Sequence, residues 1–306
     1  MRKSIVLATA LTLVSLCSFA WGEEAVGFNG HVKVRFSKSA TDRRLVDKDA
    51  DFFLDAANGK LTVRNAEHGL DVKYDDIQKV IFDVSTRMRG GAMSQVVGGL
   101  AGAAIASKHV SHYWCYIEYK AADGSVHQYM VEFPKDESPQ AIDKVKAALG
   151  DKVTVAEFEE TAEKIEKNTL KDLQSKDELK VDEKNHPIPE LKPDKALVVV
   201  VCPPLAARFE GKGIQFKLHA NDHVVAVNKE GTYGFAYLDP GEYELVSQAE
   251  NASGFKMNLE AGKDYYFLQD TFMGAWKART ALTRHSKELV MYELEGAYFS
   301  DWKQKK

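Results

Sequence analysis

Ala196-Leu197-Val198-Val199-Val200-Val201-Cys202 is a run with no charged, amide or hydroxyl side chain, and four of its residues are Val. β-Branched residues favour extended backbone. A strand that is apolar at every position, rather than at alternate ones, has to be covered on both faces. The run therefore predicts a central strand. After it come strand-like runs at Ile214 to His219, His223 to Val227, Thr232 to Leu238, Glu242 to Gln248, Phe255 to Glu260 and Lys263 to Leu268. They are parted by Asn221-Asp222, Glu230-Gly231, Asp239-Pro240-Gly241, Asn251 to Gly254 and Ala261-Gly262. Turn signals at this density predict a β-sandwich over 196–296. In Asp239-Pro240-Gly241, Pro presets φ and Gly suits a type II turn, which leaves Tyr243 and Leu245 on one side.

Upstream, runs at His31 to Phe36, Asp51 to Asp55, Lys60 to Arg64, Leu70 to Tyr74, Lys79 to Val84, Tyr113 to Tyr119 and Val126 to Phe133 predict seven strands. Asn58-Gly59 and Asp123-Gly124 are tight-hairpin pairs, because Asn, Asp and Gly tolerate positive φ. Ser138 as N-cap, Pro139 in the first turn, a face of Ile142, Val145 and Leu149, and Gly150 as stop predict one closing helix. This β domain covers 26–152.

Both halves are similar to known families. Seven strands closed by one helix, with Leu61, Val63, Leu70, Val72, Tyr74, Asp75, Asp76, Ile77 and Val80 in the pattern L-x-V, L-x-V-x-Y-D-D-I-x-x-V, resembles the bacterial pleckstrin-homology-like (PH-like) domains over about residues 45–150. Such folds bind lipid headgroups or peptides. Arg43, Arg44 and Arg64 are too scattered to form the basic phosphate-binding loop, so shape carries over and headgroup binding does not. Gly231-Thr232-Tyr233, Asp239-Pro240-Gly241-Glu242-Tyr243 and Ala261-Gly262-Lys263-Asp264-Tyr265-Tyr266 resemble the bacterial domain of unknown function 2846 over about 195–295. That resemblance implies a transthyretin-like, carboxypeptidase-regulatory-like or Ig-like sandwich, an exported envelope protein or lipoprotein, and no assigned catalytic residues. The expected fold class is thus mainly β (α+β).

Between the halves, Glu157 to Lys195 carries twelve acidic and eight basic residues and ends in Pro187, Pro189 and Pro193. Residues 153–195 are expected to be a charged linker, its first half helical through the stripe Phe158, Ala162, Ile165, Thr169 and Leu173. At the start, Arg2 and Lys3 precede the apolar run Ile5 to Phe19 and the small-x-small Ser18-Phe19-Ala20, the pattern of a cleaved export signal over 1–20. Leu16 before Cys17 is too large for a lipoprotein box. Periplasm or cell envelope is the expected location, with membrane association left open.

The whole chain has 306 residues and 41 basic against 45 acidic side chains, and losing Arg2 and Lys3 leaves 39 against 45, or −6. Such acidity argues against nucleic acid and anionic lipid as partners. The two cysteines beyond the leader, Cys115 and Cys202, lie far apart in strand-like runs. Two buried thiols is the plain expectation, and a disulfide between the domains is the other.

The chemistry-bearing motifs are few. Residues 90–107 are uncharged for eighteen positions, mostly Gly, Ala and Val, with Arg87 and Arg89 before and Lys108 after. As a helix they align Ser94, Gly98, Gly102 and Ala106, with Gly91 and Gly99 beside them, the small-residue spacing that lets helices approach closely. The segment suits internal packing, self-association or membrane contact, or a loop. It is short for a full membrane span, which needs roughly 20 residues. His219 and His223 flank a turn, and His109 and His112 lie three apart, yet neither pair has the further ligands that a metal site needs. No Gly-x-Ser-x-Gly elbow, Cys–His pair or phosphate-binding loop occurs. The adjacent acids Asp75-Asp76 and Glu159-Glu160 point apart and read as solvated charge. Tyr298, Phe299 and Trp302 fall in a C-terminal tail, 297–306, which either packs back or meets a partner. The expectation is no cofactor, no metal and no catalysis. An exported binding or scaffold module with an envelope or protein partner is the first reading. A membrane-associated assembly factor, oligomeric or lipid-contacting through the Gly-rich helix, is the second, and a metal-dependent or hydrolytic enzyme the third.

Overall fold

The computed structural model describes residues 27–37, 45–89, 108–158, 178–204, 214–249, 251–273 and 278–303, and within them the chain is mainly β. β1 (Phe28–Ser37), β2 (Leu45–Asp55), β3 (Lys60–Arg64) and β4 (Leu70–Lys73) form one antiparallel meander. β5 (Ile77–Arg89), β6 (Lys108–Lys120) and β7 (Val126–Phe133) form a second, joined to the first where β7 pairs with β1. Each of the seven strands overlaps one of the seven runs read from the sequence, but β2 begins at Leu45, β5 continues to Arg89 and β6 starts at Lys108, all beyond those runs. The hairpin glycines Gly59 and Gly124 take φ of +60° and +88°, a region that costs a residue with a Cβ.

Helix α1 (Ser138–Leu149) buries Ala141, Val145 and Leu149 in a core that includes Phe52, Phe82, Ile117 and Phe133. Ser138 is not its N-cap. Glu137 already has helical backbone (φ −91°, ψ −22°), so Ser138 is the first helical residue and donates its hydroxyl to the Pro134 carbonyl.

Within 153–195, the described residues 153–158 and 178–182 are strands of two different sheets rather than parts of a free linker. β8 (Val153–Phe158) adds to the first sheet parallel to β5, giving the order β4-β3-β2-β1-β7-β6-β5-β8. Val153 and Val155 face the core at a period of two, which the helical spacing beginning at Phe158 obscured in the sequence. Phe158 ends β8, and the rest of the expected helical stripe lies outside the described residues. β9 (Glu178–Asp182) joins the second domain.

That domain has two sheets. β12 (His223–Asn228), β11 (Phe216–Ala220), β14 (Gly241–Gln248) and β15 (Ala252–Leu259) pair in that order. They pack on a six-stranded sheet ordered β17-β16-β10-β13-β18-β9, where β10 is Ala196–Cys202, β13 Thr232–Leu238, β16 Asp264–Met273, β17 Ala278–His285 and β18 Tyr298–Lys303. Residues 298–303 are therefore a sheet strand and not a tail. Phe299 lies against Tyr233 and Phe235, while Ser300 donates its hydroxyl to the Val227 carbonyl.

The doubly apolar β10 is covered on both faces. Ala196, Val198 and Val200 meet Leu218, Leu245, Phe255 and Phe267 inside the sandwich. Leu197, Val199 and Val201 meet a second core, built by Leu289, Val290 and Leu294 of helix α2 (Lys287–Glu295) together with Ile81, Trp114, Tyr116 and Met130 of the first domain. Each such buried aliphatic contributes about 1.5–3 kcal/mol relative to exposure. α2 sits there by topology: it carries the chain from β17 across β16 and β10 to β18 beyond β13, over the face that the four-stranded sheet leaves open. The two domains thus close on one another around a single short helix.

Candidate functional site

A cluster of buried ionisable side chains lies in this seam. β5 serves two faces by alternation. Val80 and Phe82 enter the first core, while Lys79, Ile81 and Asp83 turn toward α2. Lys79 Nζ lies 2.9 Å from Glu288 Oε1. Asp83 Oδ2 accepts the Ser286 N–H at 2.6 Å, and its Oδ1 lies 2.9 Å from His285 Nδ1. Ser286 is the N-cap of α2, its hydroxyl oxygen accepting the Leu289 N–H at 3.4 Å. A carboxylate from one domain therefore completes the cap of a helix in the other, at the end where negative charge is favoured.

The polar chain continues beyond the histidine. His285 Nε2 lies 2.9 Å from Thr283 Oγ1, and Thr283 donates its hydroxyl to Asp270 Oδ2 at 3.2 Å. Nδ1 faces a carboxylate and carries a proton; with the Thr283 hydroxyl directed at Asp270, Nε2 carries a second, and the ring is then an imidazolium. Burial would lower its pKa, but Asp83, supported by Asp270 and Glu293, outweighs burial and holds it above the ordinary 6.5.

The second tie joins β1 to α2. Arg35 Nη2 donates to Glu293 Oε2 at 2.8 Å, its Nε contacts Oε1, and Nη1 donates to Asp47 Oδ1 at 2.9 Å. The guanidinium also lies 5.3 Å from the Trp114 ring centre, and Tyr292 donates its hydroxyl to the Arg35 carbonyl at 2.6 Å. Burial opposes the Arg35 charge, yet Glu293 and Asp47 hold its pKa above the usual range. Burial also lifts Glu293 above the ordinary carboxylate range, a shift that Arg35 limits.

Asp83, His285 and Thr283 have the order of a nucleophilic triad, in which the hydroxyl gives its proton to the imidazole; here Asp270 Oδ2, 3.2 Å from the hydroxyl, is a second acceptor for that proton. The side chains of Asp83 and His285 are each only 2% exposed, so no substrate reaches them. The arrangement can hold two sheets in register and exchange one proton.

Gly91, Ser94, Gly98, Gly99, Gly102 and Ala106 lie outside the described residues. The strands that lead to them are described: β5 and β6 pair as far as Arg89 and Lys108, so 90–107 leaves and re-enters at neighbouring backbone positions. Tyr298, Phe299 and Trp302 are all in β18, half-buried, with Trp302 paired to Leu179 of β9. His219 is buried, whereas His223 is exposed and pairs with Ala220, which places the two on opposite faces of the hairpin. Asp75 and Asp76 are exposed on a short 3-10 turn. Cys115 and Cys202 are free thiols buried in separate clusters.

A polar cavity of about 580 Å³ opens at the end of β14 and β15, lined by residues that include Glu242, Glu244, Lys256 and Asn258. Asn221 at its edge is committed to the turn, its Oδ1 accepting the Glu244 N–H at 2.9 Å. Ser125, Asp123 and His127 form another hydroxyl–imidazole cluster, but on an exposed hairpin turn. The seam pairs had one local signal in the sequence: Ser286 directly ahead of the apolar spacing Leu289, Val290, Leu294. No family model matches the chain, and no curated protein matches it.

Proposed function

We propose that the chain is an exported, non-catalytic envelope protein that binds or scaffolds, with a PH-like module docked on a transthyretin-like or Ig-like sandwich. The observation that carries this reading is the seam. The buried side chains Asp83, His285, Arg35 and Glu293 tie the domains to one another. Two meanders with a closing helix suit a PH-like module, and two face-to-face sheets suit the sandwich. Export rests on the leader-like residues 1–20, and the partner is an envelope protein rather than nucleic acid.

A second reading is favoured by the β5–β6 ribbon. Among the described residues β5 pairs with β8 only through Ser85, and β6 with β7 only from Tyr113 onward. Among the described residues Thr86–Arg89 and Lys108–Ser111 therefore pair only with each other, and they lead to the uncharged segment 90–107. A ribbon bearing such a segment suits a membrane-associated assembly factor that oligomerises or contacts lipid through it.

Fractionation of the exported protein, wild type against a variant with Gly98→Leu and Gly102→Leu, separates the two. A soluble monomer, merely destabilised in the variant, supports the scaffold. Membrane-bound or oligomeric wild type that the variant releases supports the assembly factor and overturns the scaffold reading.

A further inference from the structure

Among the described residues of the seam, His285 is the one histidine, the side-chain type that ordinarily changes charge near neutral pH. Arg35, Lys79, Glu288 and Glu293 belong to types that ordinarily titrate far from neutrality, whereas histidine titrates close to it. Around His285 stand Asp83 from β5, Thr283 from its own strand, Asp270 from β16 and Glu293 from α2. Behind Glu293 are Arg35 of β1 and Asp47 of β2, and Lys79 and Glu288 bond each other elsewhere along the helix. Burial pushes the phenols of Tyr116 and Tyr292 and the thiol of Cys115 above their usual ranges, away from the same window.

We propose that His285 is a proton-operated latch between the two domains: protonated, it ties Asp83 of the first sheet to Thr283 and Asp270 of the sandwich, and losing that proton on mild alkalinisation loosens the seam around α2. A neutral imidazole has a single N–H. Kept on Nδ1, it leaves Nε2 as an acceptor; Thr283 must then turn its hydroxyl to the ring and give up Asp270. Kept on Nε2, it leaves Asp83 facing a lone pair. In both cases a buried hydrogen bond is lost and Asp83 keeps its charge beside a neutral ring, the costly arrangement for a buried ion. On the first sheet's side the apolar part of the seam includes Ile81, Trp114, Tyr116 and Met130, with Ala156 partly buried beside them, and the polar ties run alongside it.

Resonance energy transfer between dyes on Asp71→Cys in β4 and Asn258→Cys in β15 tests the latch, since both positions are exposed while Cys115 and Cys202 are buried. Transfer is expected to fall reversibly, in a one-proton transition, as pH rises from about 6 to about 9. His285→Gln is expected to give a flat profile. Thr283→Val, which removes the Nε2 acceptor, is expected to move the midpoint down by about one pH unit, roughly tenfold in proton affinity. A flat wild-type profile in the folded protein, or a His285→Gln variant that titrates like wild type, overturns the proposal. Should His285→Gln fail to fold, Thr283→Val decides: a midpoint that does not move also overturns it.

Discussion

Arg35 of β1 and Glu293 of α2, 258 positions apart in the chain, close a buried ion pair with Nη2 2.8 Å from Oε2. Their side chains are 9% and 2% exposed, so removing one partner leaves the other desolvated and unpaired. Arg35→Met should lower unfolding stability by about 3–5 kcal/mol, the usual cost of breaking a buried pair. Arg35→Met combined with Glu293→Leu should recover most of that loss, because Asp47, the remaining partner, reaches solvent. Urea unfolding of the two single variants and the double variant checks this. A double variant as unstable as the sum of the singles would show that the charges do not act as a pair.

The His285 imidazolium gives stability a pH dependence of definite sign. Its folded pKa lies above the ordinary 6.5, so the native state holds a proton that the unfolded chain releases. Its contribution is complete below about pH 6.5 and is lost as pH rises through the folded value. Asp83→Asn keeps an acceptor for the Ser286 N–H but removes the charge that holds the proton. At pH about 6 the variant should be less stable than wild type by about 1–3 kcal/mol, and the gap should close toward pH about 9. Urea midpoints at the two pH values decide it. A gap that widens with pH contradicts the assignment.

Local pattern and long-range pairing were unequally visible before the fold was known. The alternation of Leu61 and Val63, the Asn58-Gly59 turn and the unbroken Val198 to Val201 run each express their structure within a few residues, so the strands they mark fall where they do. Even the double covering of β10 was legible, although what covers it was not. α2 escaped notice because nine residues with Glu293 on their buried side read as weakly amphipathic. Glu293 resembles a surface residue until Arg35, far away in the chain, supplies its counter-charge. Asp83 and His285 were hidden for the same reason. β8 and β18 were misread because a charged neighbourhood and a position near the chain's end suggested linker and tail, whereas β5 and β13 offered them backbone partners. A strand added by pairing needs little apolar signal of its own.

Cys115 and Cys202 should be silent toward a thiol reagent in the native protein. Both are fully buried, and burial, the leading cause for each, pushes their pKa upward, which suppresses the thiolate that reacts. Ellman's reagent should modify neither residue without denaturant and both in guanidinium. Nonreducing mass analysis should find no bond between them. Rapid native labelling at either residue would show that its strand opens far more often than this packing permits.

Gly254 is the most constrained glycine described. A Cβ there would stand 2.0 Å from the Leu245 carbonyl oxygen and 2.8 Å from Val246 Cα, both backbone atoms of β14 that no rotamer change can move. The strands would have to part at the Gly254–Val246 pair. That displacement would not stay local, because β15 closes one side of the sandwich against β17. Asn251 Nδ2 donates to the Thr280 carbonyl at 2.7 Å, the Thr280 N–H donates to Asn251 Oδ1 at 2.8 Å, and the Leu282 N–H donates to Ser253 Oγ at 3.3 Å. Gly254→Ala should therefore cost at least about 2–3 kcal/mol, the upper range for overpacking a core. A Cβ at Gly234 would stand 3.2 Å from the Ala226 Cβ and 3.3 Å from the Asn228 side chain, which asks for a shift of only a few tenths of an ångström, so Gly234→Ala should cost clearly less. Thermal unfolding of the two variants side by side tests the order. Equal losses would mean that the β14–β15 pair yields as readily as a side chain does, against the backbone spacing on which the argument stands.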